Sequence, residues 1–145
     1  MLTLATLPVG FVVDPQCPPT AGRYDGCWIG LFGPKIRASR DQWIQSLIAP
    51  EDPSRAAATV VWTQRRTTRR GWPVTLRVVT IVTPTGDTIE KRLVAVYEFV
   101  HLVGGIMIRA PGDRVIEGTW VHELLESAHP QWSGDDVVAI ADLWR

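Results

Sequence analysis

The chain has 145 residues, 46% of them hydrophobic, with 15 basic residues balancing 15 acidic ones. That length suffices for one ordinary core, and the zero net charge excludes a global field drawing the protein onto nucleic acid or an anionic membrane. Two cysteines, Cys17 and Cys27, have neither the CxxC spacing nor the company that a disulfide framework or a thiolate metal site requires, so reduced thiols in a cytoplasmic protein are expected.

Met1 to Val13 is apolar, but it has no basic region before it and is interrupted by Pro8 and Gly10. It therefore reads as neither a signal peptide nor a membrane span. Val9 to Val13 reads as a first strand, and Pro15, Pro18, Pro19 and Gly22 place a loop over roughly 14–25. Cys27 to Phe32, bounded by Gly26 and Gly33-Pro34, suits a second, buried strand. Ser39 stands at an N-cap with Gln42 three residues on, and Trp43, Ile44, Leu47 and Ile48 share one side of the helix they open, which Pro50 stops. Asp52 can cap and Pro53 can open another helix, over about 53–67, with Ala58, Val61 and Trp62 on one face.

After Gly71-Trp72-Pro73 the period changes to two: Val74, Leu76 and Val78 alternate with Thr75 and Arg77. Thr83-Pro84-Thr85-Gly86-Asp87 is a turn, and Ile89, Leu93, Ala95 and Tyr97 alternate with Glu90, Arg92 and Glu98 in the strand that follows. A last strand is expected over about 101–110, where Gly104-Gly105 is either a bulge within it or a two-residue turn. Thr119 opens a helix carrying Val121, Leu124, Leu125 and Ala128, ended by Pro130, and Ser133 opens another carrying Val137, Ile140, Ala141 and Trp144.

The stretch Trp43 to Asp52 (WIQSLIAPED), followed by Arg55, Ala58 and Trp62 and then by the Thr-Pro-Thr-Gly-Asp hairpin, resembles the core of a PAS domain. In that family a helix ends at a His-Pro-Glu/Asp-Asp element, a second helix ends near a Trp, and a strand pair turns at Asp-Gly. Leu7-Pro8-Val9-Gly10-Phe11 is similar to the start of the first PAS strand, so the likeness covers about residues 7–110. The chain departs from the pattern at Ala49, where many relatives have His, at Thr85-Gly86, and in lacking the acidic-Ile-Thr ending of the last strand. The resemblance implies an α+β fold: a curved antiparallel sheet of about five strands with helices on one side, plus C-terminal helices. It divides the chain into a PAS-like domain over 1–112 and a helical extension over 113–145 that packs on the same domain or serves dimerisation.

By that resemblance the protein is a non-catalytic sensory or regulatory module that forms a homodimer, signals through an unidentified effector protein, and holds a small apolar ligand against Trp43, Trp62, Tyr97, Phe99 and Met107. Those aromatics equally suit a plain core. Residues 53–67 contain no His, Cys or Met to ligate haem, and neither cysteine has the Asn-Cys-Arg context of a photoactive flavin site. His122-Glu123-Leu124-Leu125-Glu126 lacks the second His of a zinc helix, so a solvated helix face is expected there and no metal. Arg65, Arg66, Arg69 and Arg70 are the one concentrated charge, read as a solvated helix end with an anion or nucleic-acid contact as the alternative. A second alternative is a small α+β curved-sheet enzyme or lipophilic-ligand carrier, marked by paired ionisable groups such as His101 facing a carboxylate.

Overall fold

A computed structural model describes residues 2–4, 12–13, 21–36, 40–99, 102–126 and 128–130. The strands are β1 (Leu2–Leu4), β2 (Val12–Val13), β3 (Ala21–Tyr24), β4 (Cys27–Ile36), β5 (Ala57–Thr67), β6 (Pro73–Val82), β7 (Thr88–Phe99), β8 (Leu102–Pro111) and β9 (Ala128–Pro130). Helix α1 (Arg40–Ile48) lies between β4 and β5, and α2 (Thr119–Glu126) between β8 and β9. Seven strands form one antiparallel sheet in the order β2-β3-β4-β8-β7-β6-β5, while β1 and β9 pair separately.

This corrects the expected α+β arrangement in three ways. The sheet dominates and is wider than about five strands. The two helices lie on opposite faces of it rather than on one side. The helix expected over 53–67 is β5, the longest exposed element of the sheet. The physical reason is local. Thr59, Val60, Val61, Thr63 and Thr67 are β-branched and stiff at χ1, which favours a pleated strand over a helix. Asp52 does cap, but only a single turn: its side chain accepts the Ser54 amide at 3.1 Å and the Ser54 hydroxyl at 2.5 Å.

Two further expectations are corrected. The loop expected over 14–25 contains β3, which turns into β4 through Asp25-Gly26, both in the left-handed region at φ 50° and 73°. That is the backbone a two-residue hairpin demands. Gly104-Gly105 is neither a turn nor a bulge against β7: β8 runs through it in unbroken register, with Gly104 opposite Tyr97 and Gly105 opposite Val96. The helix expected from Ser133 lies outside the described residues.

Two equivalent loops join β5 to β6 and β6 to β7. In Thr68-Arg69-Arg70-Gly71-Trp72 and again in Thr83-Pro84-Thr85-Gly86-Asp87, the Gly amide donates to the first Thr carbonyl at 2.9 Å. The first Thr amide donates to the fifth residue's carbonyl at 2.9 Å. The fifth amide donates to the Thr hydroxyl at 3.2 and 3.1 Å respectively. Gly71 and Gly86 supply φ of 89° and 91°.

Side chains of alternate parity fill two cores. On one face Cys27, Ile29, Val74, Leu76, Leu93, Ala95, Tyr97, Ile106 and Ile108 pack under Val121, Leu124 and Leu125 of α2. On the other, Val79, Ile81, Val94, Val96, Val103 and Met107 pack under Ile44, Leu47 and Ile48 of α1. Strand β7 holds both helices. Arg92, only 3% exposed, donates through Nη1 to the carbonyls at the end of α1, those of Leu47 at 3.1 Å, Ile48 at 3.4 Å and the following Ala49 at 2.8 Å. On the opposite face the Tyr97 hydroxyl donates to the Leu125 carbonyl of α2 at 2.6 Å. Each helix thus has C-terminal carbonyls, left without intrahelical partners, satisfied by a β7 side chain. Among the described residues no helix is long and apolar enough to cross a membrane.

Candidate functional site

Of the residues expected to line one apolar pocket, the structure places Trp62, Tyr97 and Met107 apart from one another. Tyr97 is fully buried in the α2-side core and Met107 in the α1-side core, so the sheet itself separates them. Burial pushes the Tyr97 phenol far up from its ordinary value, with the neighbouring Glu126 adding to the effect, and the hydroxyl acts as a fixed donor. Trp62 sits on β5 and is 46% exposed. Trp43 lies in α1 and Phe99 ends β7, and their side chains are outside the described residues, as is His101.

The four arginines do not make one patch. Arg65 and Arg66 are successive strand residues and therefore leave opposite faces of β5. Arg65 pairs with Glu98 of β7 at 3.7 Å, and Arg66 with Glu126 of α2 at 3.6 Å. Arg69 and Arg70 occupy the β5–β6 turn, and the Arg69 amide donates to Glu126 at 2.8 Å. Glu126, expected on a solvated helix face, instead ties α2 to the end of β5 and the turn after it. Among the described residues no group of three or more His, Cys, Asp or Glu is placed to hold a metal ion. Cys27 is free and buried, and burial raises its thiol above the ordinary value, which keeps it protonated and unreactive.

Two features do stand out. The first is the free side of β5, which ends the seven-strand order with β6 as its one strand neighbour among the described residues. A register shift between Val60 and Trp62 inserts Val61 as a bulge, so Val60 lies over the α1 face and Trp62 over the α2 face. Val60, Val61 and Trp62 are 43%, 55% and 46% exposed. An unpaired strand edge flanked by apolar side chains on both faces is a template for another strand.

The second is a cleft of about 490 Å³ on the α1 face, at the β3–β4–β8 end of the sheet. Cross-strand register builds it, because Arg23, Trp28, Arg109 and Arg92 stand directly opposite one another on β3, β4, β8 and β7. Such a row of arginines would repel itself. Glu90 resolves this by accepting from both: Arg92 Nε at 3.0 Å, Arg109 Nη2 at 3.1 Å, and Arg109 Nε in a further short bond. Arg109 Nη2 also donates to Glu51 at 2.7 Å, and its guanidinium lies 5.6 Å from the centroid of the Trp28 ring. Ile89 and Pro111 supply apolar wall.

Burial works to raise the Glu90 carboxyl, but the hydrogen bonds and charges of Arg109 and Arg92 outweigh it and hold the group below the ordinary carboxylate range. Arg109 is raised, chiefly by its bond to Glu90. Glu90 is thus an ionised anchor at neutral pH and has no proton to give as a general acid. A depressed folded value contributes stability above the unfolded carboxylate range that is lost as pH falls through it. Glu90→Gln is expected to cost about 2 kcal/mol at neutral pH, with the gap from wild type narrowing below about pH 4. Urea midpoints measured across pH check this, and a pH-independent gap would contradict it.

In the sequence Glu90 and Arg92 fall on the polar side of their strand, and no local pattern marks Arg23, Trp28 or Arg109. Only pairing register, which a single strand does not display, brings these five together. No protein-family model and no curated protein matches the sequence.

Proposed function

We propose that the chain is a non-catalytic interaction module that forms a homodimer by antiparallel pairing of β5 with β5 of a second copy. The observation that carries this is the long free edge of β5 with Val60, Val61 and Trp62 exposed beside it. A two-fold axis near Val61–Trp62 sets the Arg65–Arg66 end of one copy against the Ala57–Thr59 end of the other. Like charges then stay apart, whereas a parallel pairing would stack arginine on arginine. The exposed residues on both faces would be covered by the partner's own.

The reading keeps a regulatory role with output through an effector chain, and a cytoplasmic setting, with which the free Cys27 agrees. Light scattering over a range of concentrations tests it. Wild type is expected to dimerise, and Val61→Lys to weaken the dimer by about a hundredfold while leaving the thermal midpoint of the monomer unchanged, since this side chain is exposed. A wild type that stays monomeric at high concentration, or a Val61→Lys protein that dimerises as well as wild type, overturns the reading.

A further inference from the structure

We propose that the cleft over Trp28 and Arg109 binds a small organic carboxylate, whose charge takes the place of Glu51 on Arg109 and whose flat apolar body lies against Ile89 and Pro111. This site is independent of the β5 edge.

The volume, about 490 Å³, is that of a small-molecule site. Its charge favours an anion. Arg23 and Arg109 face Glu51 and Glu90 in the lining, and the buried Arg92 behind Glu90 leaves the whole group one positive charge in excess. Arg23 is exposed on β3 and has no acceptor among the described residues. Arg109 is oriented rather than saturated: Nε and Nη2 are held by Glu90, while Nη1 has no protein acceptor among the described residues. A guanidinium fixed on one side with donors remaining on the other suits a planar carboxylate, which can accept through two oxygens.

Glu51 shows where such a carboxylate would sit. It reaches Arg109 through one oxygen only, at 2.7 Å, from the turn after α1, and its side chain is 78% exposed. A single exposed ion pair of this kind is weak and readily exchanged. The ligand competes with a tethered carboxylate that has one foot on the site. Beside it Ile89, 49% exposed, is a large apolar side chain with no cover of its own. That wall selects an organic anion over inorganic phosphate.

Ligand-detected and amide-shift NMR with benzoate, benzamide and inorganic phosphate as probes tests the proposal. Benzoate is expected to bind saturably at millimolar concentration, shifting the Trp28 and Arg109 amides, with neutral benzamide and phosphate each weaker by about tenfold or more. Glu51→Ala is expected to tighten benzoate several-fold by removing the competitor, a gain that no general loss of structure produces. Arg23→Gln, on an exposed position, is expected to weaken it several-fold and Arg109→Gln to abolish it. No saturable benzoate binding by either wild type or Glu51→Ala overturns the site. So does binding that Glu51→Ala weakens, or that neither arginine substitution changes. Phosphate binding as tight as benzoate overturns the apolar wall.

Discussion

Arg92→Ala is expected to lose about 3–5 kcal/mol of stability, because the substitution removes one partner of a buried charge pair and leaves the other in place. Three carbonyls at the end of α1, those of Leu47, Ile48 and the following Ala49, would lose their donor and Glu90 would keep only Arg109 from the β-sheet floor. Helix α1 has no basic residue in its own last turn, so Arg92 is the cation that meets the negative end of its dipole. For a chain of this size the loss corresponds to a fall of roughly 10 °C or more in the thermal midpoint. Arg92→Lys is expected to recover part of it, since an ammonium carries the charge but cannot bridge the carbonyls and Glu90 with one planar fork. Hydrogen exchange should show α1 amides losing protection before those of α2. A loss under about 1 kcal/mol for the alanine variant would show that the guanidinium is not what secures α1.

The second large effect is expected at Tyr97. Replacing it by alanine empties a fully buried aromatic site and is expected to cost about 3–5 kcal/mol. Tyr97→Phe isolates the hydroxyl: the Leu125 carbonyl keeps its buried position and loses its donor, for about 1–2 kcal/mol. Here the protection lost first should be that of α2, the reverse of the Arg92 case. Chemical denaturation of both variants measures the two terms separately. Equal stability of Tyr97→Phe and wild type would remove the hydroxyl from the account.

Much of the local structure was legible. Helix α1 ahead of Pro50, the alternation of Val74, Leu76 and Val78 and the turn at Gly86 follow from punctuation and period, as does the helix at Thr119, although it stops at Glu126 and Ala128–Pro130, expected to finish it, is strand β9. Over 53–67 the helical spacing of Ala58, Val61 and Trp62 competes with the β-branched content of the same window, and the β-branched residues prevail. Thr68-x-x-Gly71 was available as a second signal, being the same loop chemistry as Thr83-x-x-Gly86. Asp25-Gly26 was likewise a hairpin signal that the proline-rich stretch before it obscured. The candidate cleft was not legible, because it depends on β4 pairing with β8 across most of the chain, and no local pattern reports such a partner.

That same pairing governs the order in which the protein assembles. From Ala57 to Pro111 each strand meets its successor through a short loop, so the β5–β8 ribbon closes with little loss of loop entropy. Joining β4 to β8 brings Trp28 to Arg109 over a far greater length of chain, and non-local pairings of this kind form slowly. A nascent chain therefore holds β3 and β4 exposed until β8 has been made. Synthesis from the N-terminus supplies the waiting half first and the half that templates it last.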